Sequence, residues 1–177
     1  MMKVKNFEFK AKVKALEKYE QLLLSLNPVF TGTDHQVDTY FNAPSGRLKL
    51  REGNIENALI DYERENIAGS KLSKIILYQH KPDPALKKIL AKQFGIKIVV
   101  DKKRKIYFID QVKFHFDVVE QLGTFIEVEA IDNNGRFTIE ELKEQCDFYL
   151  RFFELLPHQL IDKSYSDLLE EITRHKI

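Results

Sequence analysis

The chain has 177 residues, 44% of them apolar and 31% charged, with 13 phenylalanines and no tryptophan. A chain of this size suits one domain, residues 1–177, that buries roughly 70% of its unfolded surface around a phenylalanine-rich core. A formal net charge of +1 excludes a generally basic nucleic-acid-binding surface and confines any anion site to a local patch. The lone Cys146 excludes an intramolecular disulfide; residues 1–15 lack an apolar run and no segment approaches about 18 apolar residues, so a cytoplasmic protein without a membrane span is expected.

In residues 6–14, polar Asn6, Glu8, Lys10, Lys12 and Lys14 alternate with apolar Phe7, Phe9, Ala11 and Val13, the two-residue period of a half-buried strand. Residues 15–26 carry Leu16, Tyr19, Leu22, Leu23 and Leu26 at helical spacing, and Asn27-Pro28 ends that helix. Residues 28–34 read as a loop around Gly32, followed by a strand at 35–41 with Gln36, Asp38 and Tyr40 on one face. Turn chemistry at 42–46 leads into residues 47–52, where Arg47, Lys49 and Arg51 alternate with Leu48 and Leu50. A turn from Gly53-Asn54, a strand at 58–65, a turn at 68–70 and a strand at 71–78 continue an antiparallel meander.

Asp83 caps, and Pro84 opens, a helix through Leu86, Ile89, Leu90 and Phe94 that stops at Gly95. A long strand at 96–109 contains the basic run 102–105. After the Asp110-Gln111 turn, Lys113, His115 and Asp117 alternate with Val112, Phe114, Phe116 and Val118 in a strand at 112–119. Residues 121–123 break the chain before a strand at 125–131, in which Glu127 and Glu129 alternate with Ile126, Val128 and Ala130. Thr138 and Glu141 form a capping box for a helix of Leu142, Cys146, Tyr149, Leu150 and Phe153, with Cys146 a core residue, and a last helix covers about 166–174. Short alternating segments separated by turns predict an α+β fold: a closed or nearly closed antiparallel β-barrel of about eight strands, with a polar lumen and helices packed outside.

Carboxylates cluster at the two ends of the chain and cations in the middle. If the strands close into one barrel, Glu8, Asp117, Glu127 and Glu129 offer hard oxygen ligands to a divalent cation, while Lys10, Lys49 and Arg51 face a polyanion. Three carboxylates converging without a cation would repel, which a metal resolves; salt bridges to facing cations are the other way to balance them. His115 reads as structural, and Lys12 and Lys14 as solvated. No Ser-His-Asp or Cys-His constellation and no Gly-rich phosphate loop is present, so catalysis would rest on positioning and electrostatics.

Glu8-x-Lys10, Gln36-Val-Asp38-Thr-Tyr40-Phe41, Pro44-Ser-Gly46-Arg47-Leu-Lys49-Leu-Arg51, Tyr62-Glu-Arg64, Lys71-Leu-Ser73, Lys102-Lys-Arg104, Asp117, Leu122-Gly-Thr-Phe-Ile-Glu127-Val-Glu129 and Leu160-Ile-Asp-Lys-Ser164-Tyr165 follow one another between about Lys3 and Leu169. This ordered set resembles the CYTH superfamily of triphosphate tunnel metalloenzymes, and most of all its class IV adenylyl cyclase branch. The resemblance implies phosphate binding by Lys10, Lys49, Arg51, Arg64, Lys71, Lys102 and Arg104. It implies Mg2+ or Mn2+ held by Glu8, Asp117, Glu127 and Glu129, and catalytic roles for Glu8, Lys10 and Arg51. The expected partner is a small-molecule triphosphate, ATP or tripolyphosphate, with no nucleic acid or membrane, in a monomer or homodimer. Three activities stay open: an adenylyl cyclase forming cyclic AMP and pyrophosphate, a hydrolase of tripolyphosphate or of a nucleoside or thiamine triphosphate, and a triphosphate-binding protein with little turnover. The third arises because the family signature Glu-x-Glu-x-Lys here begins with Asn6.

Overall fold

The computed structural model describes residues 4–64 and 71–174, with side chains at 5–63 and 75–174. Among the described residues, eight strands close into an antiparallel barrel in the order β1-β5-β4-β3-β2-β6-β7-β8. They are β1 Val4–Lys12, β2 Val29–Phe41, β3 Arg47–Gly53, β4 Ala58–Arg64, β5 Lys71–Gln79, β6 Ile96–Ile109, β7 Val112–Val119 and β8 Gly123–Asp132. The turn expected at 68–70 and the side chains of Arg64 and Lys71 lie outside the described residues.

Two-residue alternation makes closure possible, since every strand then offers one face to the lumen and one to the outside, where helices cover part of the wall. On β1, β7 and β8 the outward set is Phe7, Phe9, Ala11, Phe114, Phe116, Ile126, Val128 and Ala130, all buried. Helix α1 (Leu16–Leu24) covers this set with Leu16 and Leu23, and α3 (Ile139–Phe152) covers it with Leu142, Cys146 and Tyr149. Helix α2 (Pro84–Phe94) lays Leu90 on Phe41 and Leu50 of the opposite wall. Helix α4 (Tyr165–Arg174) turns Tyr165 and Leu169 onto Val100, Val119 and Phe125, which face inward, and so covers one end of the barrel.

The caps form as the sequence predicts. Asp83 accepts from the Ala85 amide at 2.8 Å with Pro84 in the first turn, and Thr138 and Glu141 exchange a reciprocal pair of hydrogen bonds at 3.1 and 2.7 Å. One expectation is corrected: residues 29–34 are strand rather than loop. They pair with Phe108 through Arg104 of β6, with a bulge between Phe30 and Gly32. Neither Val29 nor Phe30 is buried, so this part of the strand lacks the burial alternation that marks the rest.

Candidate functional site

The strand register decides which side chains meet in the lumen. Across the β1–β8–β7 seam, Glu8 lies opposite Glu129, which lies opposite Lys113; one step along, Lys10 faces Glu127, which faces His115. Across β3–β2, Arg51 lies opposite Asp38 and Lys49 opposite Tyr40, and β6 brings Lys102 alongside Gln36. All of these side chains except Gln36 line one cavity of about 830 Å³ together with Asn6, Tyr62, Ile75, Leu77 and Tyr165. A smaller hollow of about 390 Å³, between the β6–β7 turn and α3, is lined by no lysine or arginine.

One half of the lumen is cationic and organised on Asp38. Its carboxylate, 1% exposed, accepts from Lys49 at 2.9 Å, from Lys102 at 2.8 Å, and from Arg51 through Nε at 2.8 Å and Nη2 at 3.0 Å. Burial alone would raise the Asp38 pKa, but Arg51, Lys102 and Lys49 together hold it well below the usual carboxylate range. Burial has the opposite effect on Lys102: it outweighs Asp38 and, with Arg51 and Arg104 nearby, brings the ammonium down to about 7.

A second acid enters this half from the β3–β4 turn. Glu56 accepts from Gln36 at 3.0 Å, from Arg51 Nη1 at 3.1 Å and from Lys113 on the far wall. The turn is held from below by Asp34, which accepts the backbone N–H of Ile55 and of Glu56, each at 2.9 Å. Gly53 is required there, because a Cβ would stand 2.7 Å from Asp34 Oδ1 and 2.8 Å from the Glu56 carbonyl.

The other half is acidic. Glu127 meets Lys10 at 3.4 Å and Arg104 Nη2 at 2.7 Å, and these cations hold its pKa well below normal against the effect of burial. Glu129 is less well matched: burial, with the charges of Glu127 and Glu8, pushes it up to about 7. Asn6 Nδ2 donates to Glu8 at 3.3 Å, while Asn6 Oδ1 is buried without a hydrogen-bond partner among the described residues. His115, 1% exposed, has Nδ1 3.5 Å from Glu127 and 3.7 Å from Glu129, beyond hydrogen-bond length, and neither ring nitrogen has a hydrogen-bond partner among the described residues. Burial and Arg104 lower its pKa to about 3, so the ring is neutral near pH 7.

The structure brings together Glu8, Lys10, Lys49, Arg51, Lys102, Arg104, Glu127 and Glu129 around the one cavity. Asp117 stands apart. Arg104 grips both of its oxygens at 2.7 and 2.6 Å, the Tyr165 hydroxyl donates at 2.7 Å, and the residue is fully buried outside the cavity lining. Asp38, Glu56, Lys113 and Tyr165 were not among the sequence candidates. Asp38 and Lys113 were accessible to the alternation argument, whereas Glu56 in a turn and Tyr165 at a helix start carry no periodic signal. Lys12 and Lys14 are exposed as expected.

A CYTH domain family model matches residues 5–152. No curated protein sequence matches the chain. Among solved structures, a Pyrococcus horikoshii protein is 26% identical with a TM-score of 0.74, the alignment covering 92% of this chain and 98% of that one. A candidate adenylate cyclase from Vibrio parahaemolyticus is 16% identical with a TM-score of 0.74 over 93% of this chain and 97% of its own. A candidate adenylyl cyclase from Hippeastrum, described as having a dominant triphosphatase activity, is 14% identical with a TM-score of 0.61 over 95% and 94% of the two chains. Among the described residues, no helix is long and apolar enough to cross a membrane.

Proposed function

Because the chain belongs to the CYTH domain family, whose members process triphosphates, we propose that its lumen binds a triphosphate and, with a divalent metal, turns it over as a class IV adenylyl cyclase does, from ATP to cyclic AMP and pyrophosphate. The observation that carries this reading is the facing of two unlike walls across one cavity: Lys49, Arg51 and Lys102 gathered at Asp38, opposite Glu8, Glu127 and Glu129. A triphosphate carries about four negative charges and must shed hydration to enter such a lumen, so it needs fixed donors along its length. Arg51 keeps two of its five N–H groups for phosphate oxygens after donating to Asp38 and Glu56, and Lys10, Lys49 and Lys102 supply compact charges. Arg104 donates through Nε and Nη2 to Asp117 and Glu127, which braces the acidic wall, and since it lines the same cavity its Nη1 can also meet a phosphate oxygen. Tyr62, Ile75 and Leu77 give the same cavity an apolar stretch on which a nucleobase can lie, and this favours a nucleotide over an inorganic chain.

The acidic wall fits a divalent cation. Glu129 sits among like charges, and the buried Asn6 Oδ1 and His115 nitrogens have no hydrogen-bond partner among the described residues. A metal held by Glu8, Glu127 and Glu129 would neutralise phosphate oxygens and the departing pyrophosphate. Hydrolysis of a triphosphate by water is the second reading, favoured by the activity described for the structurally similar Hippeastrum protein. Incubating the pure protein with Mg2+ or Mn2+ and either ATP or tripolyphosphate distinguishes them. Cyclic AMP with pyrophosphate supports the first reading, and orthophosphate the second. Neither product, with no binding of either compound, overturns both.

A further inference from the structure

The reading of Glu127 and Glu129 as metal ligands leaves one neighbouring side chain without a role. His115 lies opposite Glu127 on β7, and its ring is aimed at both carboxylates from inside the barrel. A histidine buried for packing normally satisfies its ring nitrogens, because leaving them dry is costly. Here both are buried and neither has a hydrogen-bond partner among the described residues. One ligand atom from each of His115, Glu127 and Glu129 lies within 4.8 Å of the others. Two bonds of about 2.0–2.2 Å reach across at most about 4.4 Å, which covers the 3.5 and 3.7 Å from His115 Nδ1 to Glu127 and Glu129.

We propose that His115 is a direct metal ligand, making the cation site a mixed nitrogen–oxygen site of His115, Glu127 and Glu129 that binds Co2+, Zn2+ or Mn2+ in preference to Mg2+. The inference rests on the proposed metal-dependent function and puts His115 in the place of Glu8 in its ligand set. Asp117 stays outside the site, since Arg104 and Tyr165 already hold both of its oxygens. Arg104 also donates to Glu127 at 2.7 Å, fixing that carboxylate beside the ring. Imidazole nitrogen is a softer donor than carboxylate, so the site should follow the ascending order from Mn2+ through Co2+ rather than favour Mg2+, which prefers oxygen ligands and keeps its water.

The test uses the full chain loaded with Mn2+ and read by electron spin-echo modulation, with Co2+, Mn2+ and Mg2+ affinities from calorimetry. In the wild type, 14N modulation from a directly bound imidazole is expected. It should vanish in His115→Asn and His115→Gln, with Co2+ and Mn2+ binding weakened about tenfold or more, no less than loss of an outer partner costs, and Mg2+ affected less. Two substituents of different length guard against a folding defect, which a melting curve of each variant would expose. Metal binding that weakens in Glu129→Gln while the wild type shows no 14N modulation overturns the imidazole ligand and leaves the carboxylate site standing. Binding unaffected by Glu129→Gln and by both His115 variants overturns the metal site itself, and with it the reading on which this inference rests.

Discussion

Replacing Asp38 with asparagine removes the negative charge on which Lys49, Arg51 and Lys102 converge and leaves three cations around a neutral amide. At an effective dielectric of about 20, unit charges about 4 Å apart interact by about 4 kcal/mol. Deleting one partner of a buried ion pair costs about 3–5 kcal/mol. The lower end applies here, because asparagine keeps one acceptor oxygen and Lys102 can shed its proton. For a chain of this size a loss of about 3 kcal/mol lowers Tm by about 6–12 °C. The pH sign follows from Lys102, whose pKa is depressed to about 7, so that its charged form is a cost to the folded state that is full below that pH and is shed above it. Without Asp38 the charged form costs still more, and the penalty is therefore larger at pH 6 than at pH 8. Thermal melts followed by circular dichroism at both pH values, at low salt, measure it. Tripolyphosphate at about one hundred times its wild-type Kd adds about 2.7 kcal/mol to the wild type, and at that same concentration it should raise the Tm of Asp38→Asn more, since its anion takes the carboxylate's place and binds the variant more tightly. A Tm within about 2 °C of wild type at pH 6, or equal shifts with tripolyphosphate, refutes the reasoning.

Arg51→Ala should weaken tripolyphosphate binding by about 1.5–3 kcal/mol, the scale of a charged hydrogen bond, and unchanged affinity in low-salt calorimetry removes Arg51 from the anion site. Glu129 is raised to about 7, so a proton competes with metal below that pH; metal affinity should climb from pH 6 to pH 8 and then level, and Glu129→Gln should bind more weakly with no such slope. A flat wild-type profile shows that Glu129 is not a ligand. Asn6→Glu removes the amide that donates to Glu8 and adds a like charge beside it, so the metal-free protein should melt lower while divalent-metal affinity rises. Superimposable metal titrations of the two proteins would remove Asn6 from the cation site.

Alternation made most of the barrel legible in sequence. Asn6, Glu8 and Lys10 of β1, Lys49 and Arg51 of β3, Lys113 and His115 of β7, and Glu127 and Glu129 of β8 line one lumen, and the caps at Asp83 and Thr138 define their helix starts. It failed at residues 29–34, where β2 runs past the covered part of the barrel and the exposed Val29 and Phe30 break the pattern. At the site, periodicity named the walls but could not say which charges are already matched. Asp117 has the same alternation as Glu129, yet Arg104 and Tyr165 hold it within the structure, and only three-dimensional pairing reveals this. Likewise Asp38 reads from sequence as one more polar residue of an alternating strand, while the fold makes it the acceptor for three cations.

Strand β1 closes the barrel between β5 and β8, and its partners on β8 lie far downstream: Lys5 pairs with Asp132 and Lys12 with Phe125. During synthesis at about 5–20 residues per second, β1 therefore waits on the order of ten seconds before its last partner emerges. Until then its β8-facing edge is unpaired and carries Phe7, Phe9 and Ala11, the kind of segment that recruits other chains. The charges interleaved with those apolar residues, at Glu8, Lys10 and Lys12, keep the nascent strand hydrated until closure. The face that later lines the lumen thus guards the chain before there is a lumen, and neutral replacements along it should reduce the yield of folded protein even where the finished barrel accommodates them.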